Sequence, residues 1–442
     1  MVKSIVIKKK ISPFNDVIKI SGDKSLSIRW VLLASQATGK SRAYNLLMSD
    51  DVLSALDCLK KLGVNVKKKN NYCEINGLGL NSFKYKKNII LNAKNSGTLG
   101  RLILGLLITS PFKIKLMGDK SLSKRDFSRV ITPLKKFGAE FFPANKDTLP
   151  LYIKGSNFLK PIFYNENRGS AQCKSCVMLA ALNTKGKTVI KAKKSRDHTE
   201  ILFKNLKIPI KLKKKKNYDL IEIIGKRNIK SFNYNIPSDI SSSAFFIVLT
   251  LLSSTSKLTI KNVNINPSRV GVITILNKMG AKIRLRNKKT YKGEKIADIC
   301  VKSIKSLKSI NCPIKFNNQA IDEFLIIFLV AAKSNGVSYF KNLSELNQKE
   351  SPRLKLGSKI LNMIGIKTKL TSHSIKIYGN PNLKLEKKYE IKNYLKDHRI
   401  FMMSAVAALT LGGNWKIHDP DSIQSSFPAF LKKIEELGGK LK

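Results

Sequence analysis

Long apolar runs are missing from this chain of 442 residues. No stretch approaches the roughly 18 apolar residues that a bilayer span requires. The N-terminal MVKSIVIKKKI alternates apolar with polar residues and has no signal-peptide core, so it reads as a strand over residues 4–9. No membrane role is expected, and the cytoplasm is the expected compartment. Cysteine is sparse and scattered, at 58, 73, 173, 176, 300 and 312. Only Cys173 and Cys176 form a CxxC, and no second CxxC or His pair completes a tetrahedral site. Two buried thiols one helical turn apart are therefore expected, without zinc or redox chemistry.

Acidic residues are few as well: 29 Asp and Glu stand against 83 Lys and Arg, a formal charge of +54. Clustered cations would suit a nucleic-acid backbone. Here, however, the lysines run through nearly every segment (KKKNNYC, LKKKKNYD, RLRNKKTYKGEK), in company with abundant Asn and Ile. This is the pattern of a solvated basic surface that draws anionic metabolites towards it. A nucleic-acid-binding protein without enzymatic activity stays open as a different class. An apolar fraction of 43% is that of a folded protein, and the length suits two large lobes.

Two landmarks recur six times. An apolar helix end, a turn and a β-rich run repeat with turns near Gly39, Pro111, Gly186, Ser256, Gly336 and Gly413. A helix–Gly–strand junction recurs out of phase with them, centred on Gly63, Gly138, Ile208, Gly280, Gly365 and Gly438. Glycine in five of the six suits the left-handed residue that ends a helix. The implied unit of roughly 75 residues runs strand, helix, strand, helix, strand, and six units make two lobes of three. The fold class is mixed α/β. Both chain ends are expected in one lobe, residues 1–21 plus 237–442, with 22–236 forming the other. The fragments ATGKS (37–41) and KGKT (185–188) resemble a P-loop. Each lacks the first Gly and leads from helix to strand, the reverse of a P-loop, so both are turns of the repeat.

Each unit opens a helix with polar, charged or small residues before turning apolar. SGDKSLSIR supplies Lys24, Ser25 and Arg29; NAKNSGTLGR supplies Asn95, Gly97, Thr98 and Arg101; GSAQCKS supplies Ser170, Gln172 and Lys174. IPSDISSS supplies Asp239, AIDEF supplies Asp322 and Glu323, and KDHRI supplies Asp397, His398 and Arg399. Helix N-termini carry unpaired N–H groups and partial positive charge, so such starts favour phosphate or carboxylate. Arg125 and Arg129 in GDKSLSKRDFSR, with Lys349, Glu350 and Arg353 in QKESPRLK, add guanidiniums that can grip such groups bidentately. Asp322 and Glu350, scarce carboxylates beside these cations, are candidates for proton transfer. His398 suits a structural role as well as a catalytic one.

In order along the chain, DKSLSIR, NSGT, SAQCKS, SRDHTE, AIDEF, QKESPRL and DHRI resemble the 5-enolpyruvylshikimate-3-phosphate synthase family over residues 20–435. SAQCKS, RDHTE and SSFPAF are closer to its class II branch. The resemblance implies two lobes, each of three βαβαββ-like units, with the active site between them. It implies transfer of the enolpyruvyl group of phosphoenolpyruvate to the 5-hydroxyl of shikimate 3-phosphate by a monomer without metal or organic cofactor. Lys24, Ser25, Arg29, Ser170, Gln172, Arg196, Asp322 and Lys349 would hold shikimate 3-phosphate. Lys24, Gly97, Arg125, Gln172, Arg353 and Arg399 would hold phosphoenolpyruvate, and Asp322, Glu350 and Lys24 would be catalytic. The chain departs from the family pattern at Asn347, Gln348 and Pro352 around the Lys349–Glu350–Arg353 loop, and at Leu102. Gly97 stands where the class II branch often has Ala, so binding of the analogue glyphosate is expected. The rival is a transferase of the same fold acting on a UDP-amino-sugar, which would have a reactive Cys in the loop at 115–125; that loop has none. An inactive member that kept the fold is the remaining alternative.

Overall fold

The expected helix stops are made as their glycines suggest. Gly63, Gly138, Gly280, Gly365 and Gly438 have φ of +84°, +113°, +97°, +84° and +88°, a region that costs Gly least. At the junction without Gly, Lys207 takes the left-handed position at φ +56°, one residue before Ile208. The computed structural model describes residues 3–69 and 71–442. The first strand is shorter than expected, Ser4–Ile7, and pairs antiparallel with Gly412–His418. After Gly438 the described residues form no strand; instead Lys442 and Val6 exchange two backbone hydrogen bonds of 2.7 and 3.0 Å. The first P-loop fragment lies in the strand Ala37–Tyr44, and the second runs into the strand Lys187–Lys193.

The chain divides into two compact units. Unit 1 comprises Met1–Ser21, Pro237–Tyr291 and Lys295–Lys442, of which Met1 and Val2 lie outside the described residues. Unit 2 comprises Gly22–Ile236 together with Lys292–Glu294, three residues that sequence alone placed with the other lobe. Within unit 2, Glu294 is fully buried and its carboxylate lies 2.6 Å from His198 Nδ1.

Unit 2 carries three sheets among the described residues, built to one scheme. In one, Phe163–Glu166 lies parallel to Lys187–Lys193, which pairs antiparallel with Tyr218–Ile224, which pairs antiparallel with Ile210–Lys214. The sheet from Ile90–Asn92 to Glu140–Phe142 and the one centred on Ala37–Tyr44 follow the same parallel, antiparallel, antiparallel order. A parallel pair needs a crossover, and the helices Ala171–Leu182 and Gly97–Leu106 supply it in two of these sheets. These two helices and Lys24–Gln36 are mostly buried after their first residues.

Unit 1 carries three sheets among the described residues, of three, four and three strands, and its helices Ile240–Leu252, Phe324–Ala332 and His398–Leu411 pack on one another. FLIIFLVAA, residues 324–332, has no polar position and is buried throughout. A helix apolar on every side belongs in a core; burying each of its large side chains contributes about 1.5–3 kcal/mol. In unit 2 the partly exposed end of each central helix is its polar start, where candidate residues sit. In unit 1 the central helices are buried almost throughout, and the candidates lie in the first turn or just before it. Among the described residues no helix is long and apolar enough to cross a membrane.

Candidate functional site

In unit 2 most of the residues singled out from sequence sit at three helix starts. Asp23 caps the helix Lys24–Gln36 by accepting from Leu26 N–H at 2.9 Å. Lys24 at the first helical position forms a 2.9 Å ion pair with Asp51. Arg29, one turn further on, is buried, and three donors are engaged: Nε with Thr199 Oγ1 at 2.8 Å, Nη2 with Ser175 Oγ at 3.0 Å, and Nη1 with the Ser25 carbonyl at 3.0 Å. Ser25 stays half-buried.

Ser96 and Ser170 cap the next two helices, accepting from Leu99 N–H at 3.2 Å and Cys173 N–H at 3.3 Å. Such caps typically stabilise a helix by about 1 kcal/mol. Ser170 is thus half committed to the backbone. Gln172 is held by its amide: Oε1 accepts from Arg101 at 2.6 Å, and Nε2 donates to Thr98 Oγ1 at 3.0 Å. Arg101 also donates to the Asp126 carbonyl at 3.1 Å and lies 5.2 Å from the Phe127 ring centroid. Burial, together with Arg125 and Arg129, lowers its proton affinity, partly offset by Cys173. Arg125 donates to Asn95 Oδ1 at 3.1 Å, and Asn95 in turn donates to Asp119 at 2.5 Å. Gly97 lies against this guanidinium: an added Cβ would meet Arg125 Nη1 at 3.0 Å. Arg196 is half-buried two residues before the helix His198–Asn205.

In unit 1 the candidates form one charged cluster. Arg353 is 1% exposed and reaches three carboxylates: Asp397 at 2.9 Å, Glu350 at 2.5 Å and Asp322 at 3.6 Å. Burial opposes its charge, but Asp397, Glu350 and Asp322 outweigh burial and raise its pKa. Asp397 shows the same balance from the acid side: burial favours its neutral form, while Arg353 and His398 hold its pKa below the ordinary carboxylate value. Asp397 also accepts from Ser351 Oγ at 2.8 Å and caps the helix His398–Leu411 through Arg399 N–H at 2.9 Å. The Arg399 guanidinium donates to the Asp322 carbonyl at 2.5 Å, and Lys349 stands 3.7 Å from the Asp322 carboxylate. Asp322 itself lies in the turn before the helix Phe324–Ala332 and is half-buried, as are Lys349 and Glu350. His398 is buried, with Nδ1 3.2 Å from Ser425 Oγ.

Asp322, Lys349, Glu350, Arg353 and Arg399 thus come together, as do Gln172 with Arg101 and Arg29 with Ser25. Sequence reasoning named Asp397 only among the polar helix starts, without a ligand or catalytic role, and left out Asp51, Ser175 and Thr199. Asp397 carried a signal, an Asp immediately ahead of a helix start; Asp51 carried none, because its partner Lys24 lies on another helix. Both CxxC thiols are buried on Ala171–Leu182, and burial pushes both pKa values up. No His, Cys, Asp and Glu cluster fit to hold a metal ion occurs among the described residues.

The family model for EPSP synthase (3-phosphoshikimate 1-carboxyvinyltransferase) matches residues 8–434. A relative named 3-phosphoshikimate 1-carboxyvinyltransferase from Ruthia magnifica is 38% identical over 437 residues, 98% of this chain and 97% of its own. One of the same name from Caldicellulosiruptor bescii is 38% identical over 418 residues, 94% of this chain and 95% of its own. Among solved structures, EPSP synthase from Acinetobacter baumannii superposes with a TM-score of 0.87 at 32% identity, over 100% of this chain and 99% of that one. The enolpyruvyl transferase NikO from Streptomyces tendae shares the fold at a TM-score of 0.77 and 14% identity, over 99% of this chain and 98% of that one.

Proposed function

The chain belongs to the EPSP synthase family, and from that premise we propose how its residues carry out the family's reaction. The enzyme transfers the enolpyruvyl group of phosphoenolpyruvate to the 5-hydroxyl of shikimate 3-phosphate and releases phosphate, a step of the shikimate pathway. The reaction is addition followed by elimination. A proton reaches the methylene carbon of phosphoenolpyruvate while the hydroxyl oxygen attacks the adjacent carbon. The tetrahedral adduct then loses a proton from the new methyl group and expels phosphate.

Unit 2 supplies the grip on shikimate 3-phosphate through Lys24, Ser25, Arg29, Ser170, Gln172 and Arg196. Gly97 and Arg125 offer phosphoenolpyruvate a small residue beside a guanidinium at a helix start. From unit 1, Asp322 and Lys349 contribute to the sugar-phosphate side, and Arg353 and Arg399 to phosphoenolpyruvate. Asp322 accepts the proton of the attacking hydroxyl; Glu350 relays protons, and Lys24 touches both ligands. The observation that carries this reading is the Asp322 cluster. Two half-buried carboxylates are held beside cations in fixed geometry, Lys349 at 3.7 Å from Asp322 and Arg353 at 2.5 Å from Glu350. Fixed charges of this kind stabilise developing anions without reorganising during the reaction. No cofactor, a monomeric state and a cytoplasmic location complete the proposal.

The test is phosphate release from phosphoenolpyruvate with shikimate 3-phosphate or UDP-N-acetylglucosamine as acceptor. Release is expected only with the first. Release with the amino-sugar alone would overturn the substrate assignment, and release with neither would leave a fold without this activity.

A further inference from the structure

We propose that Thr199 and Ser175 are positioning residues for shikimate 3-phosphate, acting through Arg29; this rests on the assignment of Arg29 to that ligand. Arg29 presents one edge of its guanidinium, Nε and Nη2, to these two hydroxyls at 2.8 and 3.0 Å. The hydroxyls are themselves 2.7 Å apart, so three groups close a ring in which one hydroxyl donates to the other. This is the edge with which an arginine ordinarily grips a carboxylate or phosphate bidentately. Spending it on two neutral hydroxyls fixes the plane of the guanidinium. The opposite edge, where Nη1 donates to the Ser25 carbonyl at 3.0 Å, then has one orientation at the helix start.

The hydroxyls are immobile for a second reason. Ser175 and Thr199 belong to the helices Ala171–Leu182 and His198–Asn205, and the neighbouring residues Lys174 and Glu200 join the same two helices by a buried 2.6 Å ion pair. A charged cross-link and a hydroxyl cross-link therefore lie side by side. Gln172 sits three residues before Ser175, and Arg196 three residues before Thr199. The pair of hydroxyls ties Arg29 to the segments carrying Ser170, Gln172 and Arg196, so one ring registers four proposed contacts to the same ligand.

Thr199→Val keeps the shape and removes the acceptor for Arg29 Nε, while Thr199→Ser keeps the hydroxyl. Loss of a hydrogen bond to a charged group should raise KM for shikimate 3-phosphate roughly tenfold in Thr199→Val. KM for phosphoenolpyruvate and kcat should stay within about twofold. Thr199→Ser should restore the KM, and Ser175→Ala should reproduce the Thr199→Val pattern more weakly. Arg29→Ala is measured alongside. If it leaves KM for shikimate 3-phosphate unchanged, the assignment of Arg29 fails, and with it the inference. If it raises that KM while Thr199→Val does not, only the positioning role fails. A Thr199→Val variant that loses thermal stability and affects both KM values equally would likewise overturn the proposal, since packing alone would then explain it.

Discussion

Arg29 of unit 2 grips hydroxyls, whereas Arg353 of unit 1 grips carboxylates. In unit 2, Arg29 is gripped by two hydroxyls and a carbonyl, Arg101 by an amide, a carbonyl and an aromatic face, and Arg125 by an asparagine. In unit 1, Arg353 sits among three carboxylates. Neutral partners orient a guanidinium while leaving its charge to act on an anion. Carboxylate partners spend that charge on holding acids in place and in a chosen protonation state. The contrast sets Arg29, proposed to grip a ligand, apart from Arg353, which also holds the proposed proton-handling acids Asp322 and Glu350 in place.

The sharpest way to break the contrast is to remove the carboxylate on which the unit 1 cluster depends. Asp397→Ala leaves Arg353 buried with one strong partner fewer. Breaking a buried pair typically costs about 3–5 kcal/mol, so denaturant unfolding should show a loss of that order, with activity falling as well. A variant within about 1 kcal/mol of wild type would show that the cluster is not organised by Asp397. Next in size is Glu350→Gln, which keeps a hydrogen-bond partner for Arg353 but cannot relay protons. A fall in kcat of about 10²–10⁴ is expected, the usual range for positioned acid–base groups. Steady-state kinetics with little change in either KM would confirm a role in chemistry rather than capture.

The same cluster sets a pH dependence. Asp397 has a folded pKa below its ordinary value, because the attraction of Arg353 and His398 prevails over burial. The unfolded chain therefore binds that proton more readily, at an ordinary Asp pKa of about 3.9. The stability Asp397 contributes is present above that value and is lost as pH falls through the folded pKa. Unfolding free energies of wild type and Asp397→Asn should differ at neutral pH and converge in acid. A gap independent of pH would contradict the assignment.

A smaller effect belongs to unit 2. In Gly97→Ala the new methyl would stand 3.0 Å from Arg125 Nη1, so the guanidinium must shift by a few tenths of an ångström. KM for phosphoenolpyruvate should rise a few-fold, and the inhibition constant for glyphosate should rise further. Equal shifts in KM for shikimate 3-phosphate would blur the division drawn between Gly97 and Arg29. The smallest effect is expected of the thiols. Cys173 and Cys176 are buried with raised pKa values, so iodoacetamide should leave the native enzyme active and both residues unlabelled.

The helix starts were legible in the sequence because their signals are local. An Asp or Ser ahead of an apolar run marked the starts at Ser170, Asp239 and Asp397, each of which caps its helix, while Asp23 and Ser96 cap theirs without having been singled out. A Gly after such a run announced its end, except where Lys207 took the left-handed position without a Gly. What could not be read were partners brought together by folding. Thr199 lies 170 residues from Arg29, and Asp397 lies 44 from Arg353. Nothing within a few residues of either marks the pairing, and most Thr and Asp side chains are surface groups. Glu294 shows the same limit: its buried partner His198 lies 96 residues away in the chain.

The assignment of Asp322 to proton transfer is tested most directly by single-turnover phosphate release in Asp322→Asn, with binding of both substrates measured by calorimetry. Asp322 has its carboxylate 3.7 Å from Lys349 and 3.6 Å from Arg353, and its carbonyl holds Arg399. If it takes the hydroxyl proton, the variant should bind both ligands within a few-fold of wild type while turnover falls at least about a hundredfold. Turnover that survives within about tenfold, or a collapse of binding that accounts for the whole loss, would contradict the account.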